Sequence, residues 1–153
     1  MYQDYEMTFT QTGVSPAMTS LSQLVTVTAN GANAVDIGSG NVAKNIGSGD
    51  AIQIVFTVTT AMAAAGAATL QLQAILSAAE ALTSPVTLVE TAAIPKAELP
   101  AGTQISLTLP AISPEYVKAG MRYLGVRWVV ASGPMNAAAA IRASVTVDPQ
   151  TNG

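Results

Sequence analysis

The chain has 153 residues, enough for one domain with a sizeable buried core, and half of them are hydrophobic while only 10% are charged. Its net charge is −3, and Lys44, Lys96, Lys118, Arg122, Arg127 and Arg142 are scattered, so no basic stripe is present to follow a phosphate backbone, which argues against direct nucleic-acid binding. Histidine and cysteine are both absent, which removes the commonest general base, thiolate and disulfide chemistry, and nearly every zinc or copper site.

Along the chain the dominant pattern is alternation, the period of a strand with one buried face. The opening residues MYQDYEMTFTQTG carry acids and no apolar signal-peptide core, and residues 1–14 read as an N-terminal arm. Weak strand signals follow in EMTFTQ (6–11), SQLVTVTA (22–29) and NAVDIG (33–38). The stretch DIGSGNVAKNIGSGD (36–50) doubles a glycine turn. Its Asp36, Asn41 and Asp50 offer oxygens to a hard cation, but the spacing misses the calcium-loop pattern, and Asx-type turns are the favoured reading.

Stronger strands come next. Ile52, Ile54, Phe56 and Val58 share a face in AIQIVFTVTT; Leu70, Leu72 and Ala74 share one in ATLQLQAIL. Between them lies an alanine run, Ala61 to Ala68, with no helical stripe and a glycine inside it. A matching run, VASGPMNAAAAIRASV, sits at 130–145. Both read as connecting or starting neighbouring strands, where small side chains let two backbones or two subunits approach closely, with a short helical turn as the alternative. LSAAEALTS (76–84) reads as a helical turn or a surface loop. Then come VTLVETA (86–92), TQISLTLP with Ile105, Leu107 and Leu109 inward, and RYLGVRWVVAS with Leu124, Val126, Trp128 and Val130 inward. AIRASVTVD turns Ile141, Ala143, Val145 and Val147 inward, and residues 148–153 form a C-terminal tail. The X-Pro steps at Ser84, Ile94, Leu99, Leu109, Ser113 and Gly133 read as breaks between strands. The sum is an all-β chain of about eight strands with hardly any helix, a sandwich, jelly roll or barrel in one domain. No apolar run approaches the ~20 residues of a membrane helix.

Chemistry is sparse. A serine nucleophile needs a lysine, and no S-x-x-K spacing occurs. Trp128 falls on the inward face of its strand, which favours core over a sugar platform. Tyr123 points the other way and is free for a partner. Tyr2, Tyr5 and Met7 in the arm are candidate anchors on a partner. A skin this poor in charge suits a protein packed against others, because little repels neighbours.

The ordered pieces AAGAATL, RYLGV and ASGP, set within VDIG…IGSGDAIQIVFTVTT, SPVTLVETAAIPKAELPAGTQISLTLP and ASVTVDPQ, resemble the capsid cement (decoration) proteins of tailed phages, of the Bordetella-phage type, over roughly residues 34–150. The resemblance implies a jelly-roll β-sandwich on the outer surface of a virion head, made in the cytoplasm of a bacterial host. It would form a homo-oligomer, dimer or trimer, and bridge neighbouring major capsid proteins after shell expansion. It implies no catalytic residues, no cofactor, no metal, no small-molecule substrate and no membrane. Three other readings remain open: a receptor- or glycan-binding jelly roll of a tail or fibre, a head–tail connector or minor tail protein, and an enzyme.

Overall fold

A computed structural model describes residues 8–11, 22–38, 52–62 and 66–146 of the chain. Ten strands are present among them: β1 (Gln23–Leu24), β2 (Ala29–Asn30), β3 (Val35–Asp36), β4 (Gln53–Thr60), β5 (Thr69–Ser77), β6 (Val86–Glu90), β7 (Ile94–Pro95), β8 (Gln104–Thr108), β9 (Tyr123–Ala131) and β10 (Ala140–Thr146). They form two antiparallel sheets. One is ordered β1-β10-β4-β8; the other is ordered β2-β9-β5-β6, with β3 also paired to β9 and β7 to β5. With β2–β3 and β6–β7 each taken as one interrupted strand, the chain changes sheet at every connection except the one after β5. That is the strand order expected of a jelly roll.

Alternation explains the long strands. In β4, Ile54, Phe56 and Val58 are buried while Gln53, Val55 and Thr57 are half-buried. In β9, Leu124, Val126 and Trp128 are buried. Ile141 and Ala143 of β10, Leu107 of β8, and Leu70, Leu72 and Ala74 of β5 join them in one core cluster drawn from both sheets. Such cores are close-packed, so each of these side chains has a shaped place. Trp128 is fully buried, and its indole N–H donates to the Val27 carbonyl at 3.0 Å.

The second alanine run starts a strand, β10, at Ala140, as one of the two readings had it. Neither run joins neighbours within one sheet, because β4 and β5 lie in different sheets, as do β9 and β10. Thr60, at the end of β4, pairs with Ala140 at the start of β10, and Thr69, at the start of β5, pairs with Ala131 at the end of β9. The two crossings therefore share one end of the sandwich. Met62 and Met135 are buried there, 4% exposed each, and plug the core between the sheets. Small residues suit this end because two connections must pass over it side by side.

Three further expectations are corrected and one open choice is decided. SQLVTVTA is two short strands in different sheets, not one strand. The chain bends after Val25, which is fully buried and donates to the Ala139 carbonyl at 2.8 Å. Of the two readings of residues 76–84 the surface loop holds and the helical turn does not: β5 runs on to Ser77, and a turn follows in which the Leu82 N–H donates to the Ala79 carbonyl. A helix does form elsewhere, α1 (Pro114–Lys118). Its start is held by the Ser113 hydroxyl, which accepts from the Glu115 N–H at 3.3 Å, and Gly120 follows its end at φ +81°. The N-terminal arm over 1–14 is narrowed, because Thr8, Phe9, Thr10 and Gln11 are all buried.

That buried segment closes one lateral seam of the sandwich. Thr8 pairs with Ser144 beyond the point where β1 leaves β10. The Phe9 N–H donates to Ala143 at 2.9 Å, in the first sheet, and the Phe9 carbonyl accepts from the Asn33 N–H at 3.0 Å, beside the second. The Asn33 amide also donates to the Thr8 and Gln11 carbonyls, each at 3.2 Å. Phe9 itself is fully buried in the core cluster.

Candidate interaction surface

Of the sequence-derived contact residues, Tyr2, Tyr5 and Met7 lie outside the described residues. Tyr123 is half-buried at the start of β9, and the Arg122 guanidinium sits 5.0 Å from its ring centre. A cation over an aromatic face is an attractive arrangement. Asp36 faces Tyr123 in the β3–β9 register and forms an ion pair with Arg122. The Asp36 carboxylate also accepts from the Gly38 N–H at 2.9 Å, which is the Asx-type turn expected at this position. Asn41 and Asp50 lie outside the described residues. Hydrogen bonding to Asp36 holds the Arg122 guanidinium above its ordinary arginine value, against an opposing effect of desolvation.

Sequence reasoning missed the Asp36–Arg122 pair because 86 positions separate its members and only the β3–β9 register brings them together. It also left Arg122 as one scattered cation, whereas the structure makes it the link between a turn and an aromatic. Among the described residues no group of three or more His, Cys, Asp or Glu is placed to hold a metal ion. No helix among them is long and apolar enough to cross a membrane.

The exposed apolar surface gathers where the chain passes between sheets after β1. Leu24 and Val27 are 58% and 59% exposed, the large hydrophobics most open to solvent among the described residues. An open groove of about 770 Å³ is lined by Ser22, Gln23, Leu24, Thr59, Thr60, Ala138 and Ala140. Trp128 is no platform for a sugar ring, since none of it reaches the surface. What the surface offers is broad and mostly uncharged, with hydroxyls, amides and a few apolar side chains.

A comparison with known families supplies the decisive relation. The model of the family described as Bbp16 matches residues 19–145, more than half of the chain. The chain belongs to the Bbp16 family. The family's name points to a protein of a Bordetella phage. The match runs from just before β1 to within the last strand, so it takes in both sheets and both alanine crossings. No curated protein matches the chain.

Proposed function

We propose that this protein is a capsid cement protein, which binds the outside of a phage head, bridges neighbouring major capsid proteins and stabilises the expanded shell. Membership of the Bbp16 family is the observation that carries this reading. The composition supports it: a β-sandwich with 10% charged residues has a skin that other subunits can cover with little desolvation of charge. The protein acts as a homo-oligomer on the virion surface, after synthesis in the host cytoplasm, and performs no reaction.

Mechanically, a shell under internal pressure fails between subunits. A stiff block bound across a seam adds contacts that must break before the seam opens. A specific interface of ordinary size buries about 1,600 Å². Many identical sites acting together raise the barrier to rupture through effective concentration, even where each contact is modest.

The test is copy number. On a stained gel of purified virions, this 15.5 kDa chain should stain at a molar level comparable to the major capsid protein. A band equivalent to only a few copies per particle would instead indicate a connector or tail component.

A further inference from the structure

The face of the β2-β9-β5-β6 sheet that carries Arg127 holds a cleft. We propose that this cleft, built around Arg127, is a binding subsite for a carboxylate, namely an acidic side chain presented by a protein partner.

Arg127 lies in the middle of β9, paired with Asn30 of β2 on one side and Gln73 of β5 on the other. The loop between β5 and β6 folds over this face and forms the opposite wall, leaving an open cleft of about 400 Å³. Thr83 and Ser84 contribute hydroxyls to its lining, the Thr28 hydroxyl and the Asn30 amide beside them are engaged by the Val130 backbone and the Leu82 carbonyl, and no Asp or Glu lines it. Among the described residues the guanidinium of Arg127 has no ion-pair or hydrogen-bond partner, whereas Arg122 is engaged by Asp36. Glu90, which lies beyond Gln73 in the same cross-strand row, accepts from the Gln73 amide at 2.7 Å and is not among the residues that line the cleft. A half-buried cation with no counter-charge, facing hydroxyl groups, is a donor set for an anion.

The wall is held in place before any ligand arrives. Leu82 is buried against Gly125, where an added Cβ would come within 2.5 Å of the leucine side chain. The Asn30 amide donates to the Leu82 carbonyl at 3.0 Å, and the Ser77 hydroxyl donates to the Thr83 carbonyl at 2.8 Å. Leu82 and Ser84 both adopt left-handed backbone, φ +53° and +46°, which non-glycine residues rarely do. Strained backbone that the surroundings hold in place gathers at binding sites. The planar fork of Arg127 matches a carboxylate through two parallel hydrogen bonds, and the apolar floor of Leu82 accommodates the methylenes that carry it.

The identity of the partner rests on the docking role proposed above; the pocket's chemistry is tested without it. The isotope-labelled protein is titrated with the peptide Ac-Ala-Glu-Ala-NH₂, its glutamine counterpart, and inorganic phosphate, while the Arg127 Nε–H and the Thr83 and Ser84 amides are followed by NMR. The glutamate peptide should give saturable shifts at these three sites, at least about tenfold tighter than the glutamine peptide, in line with loss of a charge-assisted pair. R127Q should abolish the shifts and R127K should weaken them severalfold, while R122Q should leave them unchanged. Equal response to both peptides, shifts that rise linearly without saturation, or tighter binding of phosphate would overturn the proposal. The two-peptide comparison on the native chain stands even where a variant fails to fold. Failure of the native protein to bind heads would count against the docking role and leave the pocket result intact.

Discussion

Gly31 shows how a single missing side chain ties the molecule together. A Cβ at this position would lie 2.7 Å from a Val126 methyl and 2.8 Å from the Phe9 carbonyl oxygen. The second neighbour is backbone and cannot rotate away. Gly31→Ala should therefore push Phe9 out of register with Asn33 and cost about 2 kcal/mol, the usual scale of overpacking. Chemical denaturation should show a lower midpoint with an unchanged slope. Arg122 supplies a contrasting case. Its raised pKa means that whatever the Asp36 pair contributes is present below the ordinary arginine value and is lost only as pH rises through the higher one. From roughly pH 6 to pH 10 both partners stay charged. The difference in melting temperature between the native chain and Arg122→Gln should thus stay constant across that window, and should shrink as salt is added.

The segment Thr8–Gln11 and helix α1 show two ways an element escapes a reading of local pattern. EMTFTQ alternates weakly, and only the bridge of Thr8 with Ser144 and the bonds of Phe9 with Ala143 and Asn33 reveal a seam-closing segment. Those partners all lie later in the chain, more than a hundred positions on for Ala143 and Ser144 and about two dozen for Asn33. Phe9→Ala should cost about 3 kcal/mol, as for other buried phenylalanines. For a chain of this size that is a fall of roughly 10 °C in melting temperature. Removal of residues 1–7, which spares this segment, should leave the melting temperature unchanged and lower co-sedimentation with expanded heads, if Tyr2, Tyr5 and Met7 anchor the partner. Helix α1 was legible. SPEYVKAG carries a Ser cap, Pro at the first helical position, Glu in the first turn and a closing Gly. Ser113-Pro114 was read only as a break between strands, although a proline that ends one element also begins a helix well.

For the assembled sandwich, two sheets, a sparsely charged sequence and family membership support the proposed docking role. That role would need a block that resists deformation, and a core drawn from both sheets provides one. The proposed Arg127 site would make that block specific, since a matched charge selects a partner more than it strengthens the contact. Neither the groove beside Leu24 nor the cleft lies within one stretch of chain. The groove joins residues 22–24, 59–60 and 138–140, and the cleft joins residues 28–30, 81–85 and 127. Each forms only when distant strands are laid side by side.

The amino-acid sequence by itself determined the β class, the inward faces of β4, β5, β8 and β9, the burial of Trp128, the Asx turn at Asp36 and the absence of histidine and cysteine chemistry. These follow from residue type and a two-residue period, both local properties. The tertiary structure decided the rest: which strands pair, that the alanine runs cross between sheets, that Phe9 belongs to the core, that Asp36 holds Arg122, and that Arg127 faces a cleft with no counter-charge. Those depend on contacts between segments far apart in the chain, and alternation states which way a side chain points without stating what it will meet there.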